Sequence, residues 1–428
     1  MNKTTFDLAI IGAGPAGMMA ALRASECGAK VLLIEKNDRP GIKLLMTGKG
    51  RCNITNDQSD IRAFADHFGR NGRFLIPALH RFGVRETIEF FHANDLKTKV
   101  ERGGRVFPES DRAKDVQELL ISLYKKRNVT LYDQCRVQTI LQKDNKIEYI
   151  IIDNDSKITA RNYMICTGGL SYPQTGSSGD GFAWAEKMGH TIVKPKPSLT
   201  PLKAREKWIR ELEGLSLKNV RISVYQDNKK RDECFGEALF TDSGLSGPII
   251  LDMSKTVGTL LQKGNMSLYI DFKPALEFNT LDKRLLRDFD EFSNKQMSNI
   301  MSGLLPQKLI PVMLKLANID PLEKGHSVTK EDRKRLRLLL KEFPLTITGL
   351  LGFRKAIVTA GGISLKEIDP KTMGSKIISN LYFAGEILDL DGPTGGYNLQ
   401  VCWSTGYVAG ESAAQPPALP ESDICGQD

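Results

Sequence analysis

The sequence predicts an α/β protein whose main domain is assembled from both ends of the chain, with the middle of the chain inserted into it. Three observations predict this. An apolar run, DLAIIGAGPAG (7–17), enters a glycine-rich turn near the N-terminus. A second such turn, GPTGGYNLQ (392–400), follows the strand-like NLYFA (380–384) near the other end. Between them the pattern becomes β-type from Val129 and helical from about 280 to 342.

Taken in order, residues 7–12 read as a buried strand and Pro15 to Glu26 as a helix of small residues. KVLLIEK (30–36) is a second parallel strand, which completes a βαβ unit. A basic, glycine-rich loop follows, NDRPGIKLLMTGKGRCNITN (37–56), then amphipathic helices over 76–94 and 113–127. QCRVQTILQ, KIEYIIID and KITARNYMICTGG, separated by the turns KDNK and DNDSK, predict a three-stranded antiparallel meander. PKPSLTPL (195–202) reads as a domain boundary. VRISVYQ, GEALFTDSGLSGPIIL and NMSLYIDF then predict a small β domain. The expected organisation is a first segment of the main domain over 1–194, an inserted β domain over 195–279 and a helical subdomain over 280–343. A return through the β domain over 344–355, the second segment over 356–418 and a flexible tail over 419–428 complete it.

No stretch reaches 18 uninterrupted apolar residues, so no membrane partner is expected. The apolar N-terminal run lacks a strongly basic leader, and the protein reads as cytoplasmic. Seven cysteines (27, 52, 135, 166, 234, 402 and 425) include no CxxC pair, which predicts reduced thiols. The five histidines form no HExxH or HxxxH group, and no metal site is expected. A net charge of +9 favours anionic partners in general and selects none of them.

Gly12-x-Gly14-x-x-Gly17 follows a strand and opens a helix, the context a dinucleotide fingerprint requires. Gly12 permits the turn, Gly14 lets a pyrophosphate approach the backbone, and Gly17 allows close helix–strand packing. Free N–H groups at the helix start meet the phosphate charge. Glu35 ends the second strand, eighteen residues beyond Gly17, where an acid binds adenosine ribose hydroxyls. A glycine turn with a solvated glutamate is the alternative.

The second glycine-rich turn points to FAD rather than NAD alone, because an NAD domain needs no distant strand–turn–helix to complete its pocket. FAD is long, and its isoalloxazine lies far from its adenine. LYFAGE places Glu386 near ribityl and pyrophosphate oxygens, and GPTGGYNLQ starts a helix aimed at the flavin. A helix N-terminus stabilises the negative charge that a reduced flavin carries. Gly395 and Gly396 are expected to let the backbone approach the ring, with the amides of Asn398 and Leu399 pointing at it.

Four blocks carry a wider resemblance: GIKLLMTGKGRCNITN, CTGGLSYPQTGSSGDGFAWAEKMGH, LFTDSGLSGPIIL and VTAGGISLKEIDPKTMGSKIISNLYFAGEILDLDGPTGGYNLQ. Together, along nearly the whole chain, they resemble the prokaryotic flavoprotein family that includes aminoacetone oxidase and a bile-acid-processing NADH-dependent flavoprotein. More distantly, CTGG…GSSGDG and LYFAGE are similar to the fumarate reductase and aspartate oxidase group. The resemblance implies a two-segment, Rossmann-like FAD-binding domain of parallel sheet plus meander, with the inserted domains described above. It implies FAD contacts from Gly12, Gly14, Pro15, Ala16, Gly17, Glu35, Lys43, Arg51, Cys52, Asn53, Thr167, Gly168, Gly169, Glu386, Gly395, Gly396, Tyr397, Asn398 and Leu399. Val137 joins them through main-chain groups alone, and Lys36, Gly50 and Gly385 complete the candidate set. Members of the family often carry His where this chain has Asp242, so imidazole chemistry at that place is not expected here.

Lys43, Lys49 and Arg51 crowd a loop made compact by Gly48 and Gly50, and read as neutralising a pyrophosphate or an acidic substrate. Cys52 has no partner in sequence and reads as packing. TGSSGDG (175–181) fits either a second anion site or a tight turn. Asp389 and Asp391 read as loop acids or caps, and Cys402 and Trp403 as packing in the last helix.

No catalytic acid, base or nucleophile stands out, and FAD supplies the redox chemistry in such proteins. The expected function is an FAD-dependent oxidoreductase passing hydride between flavin N5 and a small organic substrate. NADH or NADPH as a transient reductant, or oxygen, is the other redox partner. A second nucleotide fingerprint is absent, so a nicotinamide has to visit the same cleft. The rivals are a flavin-dependent RNA-modifying enzyme and a non-catalytic flavin-binding protein. Basic residues interleave with acids and show no aromatic–basic motif, so no nucleic-acid partner is expected.

Overall fold

The computed structural model describes residues 6–264 and 266–415; Cys425 and the tail expected over 419–428 lie outside them. It resolves into two compact units, residues 6–196 with 358–415, and residues 197–357.

The first unit is built on a five-stranded parallel sheet in the order Leu381–Phe383, Ala160–Ile165, Phe6–Ile11, Val31–Ile34, Thr130–Tyr132. The two strands of the βαβ unit are apolar because both sheet faces are covered: Val31–Ile34 is buried throughout and Phe6–Ile11 nearly so. Helix Pro15–Glu26 joins them. A single hydrophobic cluster draws on both chain segments, from Phe6 to Met188 and from Ile363 to Ala414.

The expected meander needs one correction. Val137–Lys143, Lys146–Ile152 and Lys157–Ile158 pair antiparallel, but the third sequence segment divides after Ile158. Its remainder, Ala160–Ile165, lies between two parallel neighbours in the main sheet. Tyr163, Met164 and Ile165 form an unbroken buried run, which suits a central strand covered on both faces rather than a half-exposed meander strand. The helix expected over 76–94 is also two helices, Ile76–Arg81 and Val84–Ala93. They break at Gly83, whose N–H donates to the Glu86 carboxylate (2.9 Å) and so caps the second.

The C-terminal helix Tyr397–Ala414 explains the small residues of STGYVAGESAA. A Cβ on Gly406 would lie 2.4 Å from the Ala16 carbonyl oxygen, and one on Gly410 2.4 Å from that of Ala20. The last helix and the first therefore pack backbone to backbone. The buried Gln400 ties it further: Nε2 donates to Thr87 Oγ1 (2.8 Å), and Oε1 accepts from Thr55 Oγ1 (2.6 Å).

In the second unit, six antiparallel segments close a barrel in the order Leu202–Ala204, Gly244–Ser246, Lys229–Phe240, Ser216–Gln226, Met266–Asp271, Phe343–Leu350. Helices Pro248–Leu260, Phe278–Glu291, Ile310–Ala317 and Lys330–Lys341 belong to the same unit. One hydrophobic cluster runs through barrel and helices alike, from Leu202 to Ile347. The nearly buried Lys341, whose ammonium lies 2.6 Å from the Asp271 carboxylate, fastens a helix to the barrel.

Candidate functional site

The site begins at the turn after the first strand, where the three glycines stand in three different surroundings. Gly12 donates its N–H to the Ile34 carbonyl (2.8 Å) and adopts φ +101°, a left-handed conformation that side chains resist. At Gly17 a Cβ would fall 2.0 Å from the Gly12 carbonyl oxygen, so the helix closes tightly on the turn. Gly14 differs from both. Its φ of −76° is ordinary, and a Cβ there would meet no protein atom within 4 Å. Nothing in the fold requires glycine at that position, and it lines a pocket with Gly12, Pro15 and Ala16. Pro15 starts the helix, where its missing N–H costs nothing.

Glu35 closes one side of this pocket. One of its carboxylate oxygens accepts from the Ala13 N–H (2.9 Å), the other from the Asn37 N–H (2.9 Å) and Asn37 Nδ2 (2.7 Å). The fold thus pins the carboxylate at the strand end. Beside it Lys36 reaches Asp180, 2.8 Å away, and Arg136 approaches the same carboxylate at 3.5 Å. Burial raises the Asp180 carboxyl, but hydrogen bonds from Lys36 and Ser178 outweigh it and hold the group below the usual carboxylate range. Asp180 is the first residue of helix Asp180–Lys187, so TGSSGDG forms a turn that supplies an acid to Lys36.

Glu386 lies at the other segment's contribution to the pocket. Oε2 accepts from Lys43 Nζ (2.6 Å), and Oε1 from Ser171 Oγ (2.6 Å) and the Thr359 N–H (2.8 Å). Lys43 also reaches Ser171 Oγ at 2.6 Å. Lys43 therefore neutralises a protein carboxylate, and its positive charge is already matched before any pyrophosphate enters. Three thiols line the same pocket: Cys135, Cys166 and Cys402. Burial pushes Cys402 up to about 12 and Cys135 to about 11, and raises Cys166 further, so none is a thiolate near neutrality.

The structure thus brings Gly12, Gly14, Pro15, Ala16, Glu35, Lys36, Lys43, Val137, Thr167, Gly168, Gly385 and Glu386 to one pocket. Other expected residues are placed elsewhere for visible reasons. Arg51 stacks on Phe107 at 3.9 Å and pairs with Glu101 (2.8 Å) and Asp111 (3.3 Å), and it does not line the pocket. Cys52 is buried and pushed up to about 12 by that burial; it packs. Gly50 and Gly169 do not line the pocket, and a Cβ on Gly169 would strike Thr359 Oγ1 at 2.3 Å. At Gly396 a Cβ would lie 2.3 Å from the Thr55 backbone. Its glycine is explained by the strand Thr55–Asn56, with no need of an approaching ring. Gly395 accepts from Asn56 Nδ2 (3.1 Å) through its carbonyl. Tyr397 hydrogen-bonds His67 (3.0 Å), the Asn398 side chain holds Gly392 and Pro393, and Leu399 packs on the core. Asp389 accepts from Asn71 Nδ2.

Ser171, Thr359, Asn37, Arg136 and Asp180 were not among the expected residues. Asn37 acts on its near neighbour Glu35 through turn geometry, and the other four each hold a charged group from elsewhere in the chain, so their signal in sequence is weak.

One side-chain oxygen bears on whether FAD fits. Thr167 Oγ1, at the pocket, is buried with no hydrogen-bond partner among the described residues; Asn53 Oδ1 also has none there but does not line the pocket. Buried polar atoms ordinarily find one. Together with the unfilled side of Gly14 and the pinned Glu35, Thr167 Oγ1 fits a dinucleotide with ribose hydroxyls and phosphates. Glu35 would hold the adenosine ribose, and the Gly14 turn and helix start the pyrophosphate.

A family model described as HI0933-like protein Rossmann domain matches residues 6–412. The chain is 33% identical over 413 residues to the 3-dehydro-bile acid delta(4,6)-reductase of Clostridium scindens, covering 96% of this chain and 99% of that protein. It is 30% identical over 407 residues to the ribosomal RNA dihydrouridine synthase of Escherichia coli strain K12, covering 95% and 97%. Among solved structures, the 3-ketosteroid-delta4-(5alpha)-dehydrogenase of Rhodococcus jostii RHA1 shares the fold at 15% identity and a TM-score of 0.53, over 96% of this chain and 97% of that one. The glycine turn, the strand-end glutamate and the match along nearly the whole chain lead to one conclusion: the protein belongs to the HI0933-like family of FAD-binding Rossmann proteins.

Proposed function

We propose that this flavin oxidoreductase passes hydride between FAD and a small organic substrate whose carbon–carbon double bond is conjugated to a carbonyl, with NADH or NADPH as reductant. The observation that carries this reading is the full-length likeness to a reductase named for double bonds in a 3-oxo bile acid. When bound, FAD supplies a two-electron carrier that gives or takes hydride at N5. A conjugated carbonyl accepts hydride at its β carbon, the α carbon takes a proton, and two electrons leave the nicotinamide. This chain's residues bind and orient: Glu35 the ribose, the Gly14 turn the pyrophosphate, and the Lys43–Glu386–Ser171 group the pocket wall between the two chain segments.

A second reading has its own support. Relatives 30% identical over 95% of this chain are named ribosomal RNA dihydrouridine synthases, and the ring they saturate also carries a double bond conjugated to a carbonyl. The two readings differ in what bears that bond. The test is anaerobic reduction of the purified yellow protein with NADH or NADPH, then reoxidation by steroid enones or by unmodified ribosomal RNA. Reoxidation by enones and not by RNA supports the first reading. Reoxidation by RNA alone moves the second to its place, and failure with both contradicts the conjugated-bond substrate class.

A further inference from the structure

The chain has three tryptophans, at positions 184, 208 and 403. The fold accounts for two of them. Trp403 is fully buried, donates its indole N–H to the Ile54 carbonyl (3.0 Å) and meets the Phe91 ring edge-on. Trp208 meets the Phe343 ring edge-on, with the centroids 5.2 Å apart. Trp184 has neither a hydrogen bond nor a ring contact among the described residues. It is half-buried, rests partly on the core of the first unit, and lines the cofactor pocket. An indole is a large apolar body with a polar tip, and a covered one ordinarily finds a partner for its N–H.

Its place on the helix says which part of the pocket it faces. Helix Asp180–Lys187 buries Gly181, Phe182 and Ala185. Trp184 stands four residues after Asp180, so the two share a face one turn apart, and both line the pocket. Asp180 pairs with Lys36, the residue after Glu35, which marks this as the ribose end. With Glu35 on the ribose and the Gly14 turn on the pyrophosphate, the adenine falls on this side, away from Gly14. The charged and amide groups here are already matched. Lys36 and Arg136 meet Asp180, and Asn37 Nδ2 serves Glu35 and the Thr175 carbonyl. The walls left for a ligand include Cys135, Val137 and the Trp184 indole. Such walls suit a neutral, flat ring and not a second phosphate.

We propose that Trp184 is the base-binding residue of this FAD site: its indole stacks on the adenine and makes the site select FAD over FMN. The proposal rests on the FAD site described above and adds the residue that recognises the cofactor's adenine half. Every base has a π face, so stacking rewards the presence of a base more than its identity. The contact therefore separates a dinucleotide flavin from a mononucleotide one, and leaves the redox chemistry at the other end of the cofactor untouched.

The test titrates deflavinated full-length protein with FAD, with ADP-ribose and with FMN. ADP-ribose carries the adenosine and pyrophosphate without a flavin, and FMN carries the flavin without an adenosine. Flavin fluorescence follows FAD and FMN, and calorimetry follows ADP-ribose. Trp184→Ala should weaken FAD and ADP-ribose by roughly tenfold to a hundredfold and leave FMN unchanged. Trp184→Phe keeps a stacking face and should recover most of the loss. ADP-ribose should also change the intrinsic tryptophan fluorescence of the parent, and that change should vanish in Trp184→Phe, a reading that does not depend on the alanine variant folding. An indole that merely covers the core would instead lower the melting temperature and weaken all three ligands together, which overturns the proposal. So does a Trp184→Ala protein that binds ADP-ribose as tightly as the parent; in both cases FAD binding by the parent still stands. A parent that binds neither FAD nor ADP-ribose overturns the FAD site itself, and the role of Trp184 with it.

Discussion

Glu35 shows how much one residue says in sequence and what only coordinates add. Its place, eighteen residues beyond Gly17 at a strand end, was legible. The three donors that hold it, the Ala13 N–H and two groups of Asn37, were not, because they belong to turn geometry rather than to any pattern. They also change the right experiment. Glu35→Ala would strip support from the turn itself, whereas Glu35→Gln keeps the shape and one carbonyl acceptor. The Gln variant should stay folded and bind FAD roughly tenfold to a hundredfold more weakly, the value of one charged hydrogen bond of about 1.5–3 kcal/mol. Titration of deflavinated protein with FAD, followed by fluorescence quenching, checks it. At Gly396 the sequence reading pointed to a flavin, and the coordinates point to the Thr55 backbone 2.3 Å from where a Cβ would stand. Glycine spacing reports that something comes close; it does not say whether that is a ligand or the chain itself.

Among the elements, the βαβ unit and the last helix were legible because their periodicity is local and strong. Sequence order alone places Ala160–Ile165 with the meander, because it follows the meander directly. Its true partners, Phe6–Ile11 and Leu381–Phe383, are some 150 and 220 residues away, a pairing that no local pattern encodes. Barrel closure is equally non-local, since Leu202–Ala204 meets Phe343–Leu350 only after the intervening helices. No local pattern says why the last helix is rich in small residues. The reason is the contact between Gly406 and Gly410 and the carbonyls of Ala16 and Ala20. Gly410→Val should therefore force the two helices apart and cost about 1–3 kcal/mol. At about 2–4 °C per kcal/mol, thermal unfolding of the protein without cofactor should move down by several degrees.

For the whole molecule, the central statement is that both chain ends build one FAD site. The shared hydrophobic cluster and the Lys43–Glu386 pair, 343 residues apart in sequence, carry the structural half of that statement. No helix among the described residues is long and apolar enough to cross a membrane. The cofactor half is most directly tested at Gly14, the one fingerprint glycine that the protein's own packing does not need. Gly14→Val and Gly17→Val should be purified side by side, and FAD content and melting temperature measured on each after removal of free cofactor. Gly17→Val should fail in folding, since its Cβ would stand 2.0 Å from the Gly12 carbonyl oxygen. Gly14→Val should melt like deflavinated parent yet bind FAD on the order of a hundredfold more weakly, a loss of about 2.7 kcal/mol. Undiminished FAD content in a well-folded Gly14→Val protein would contradict the account, because the space beside Gly14 would then belong to nothing the cofactor uses.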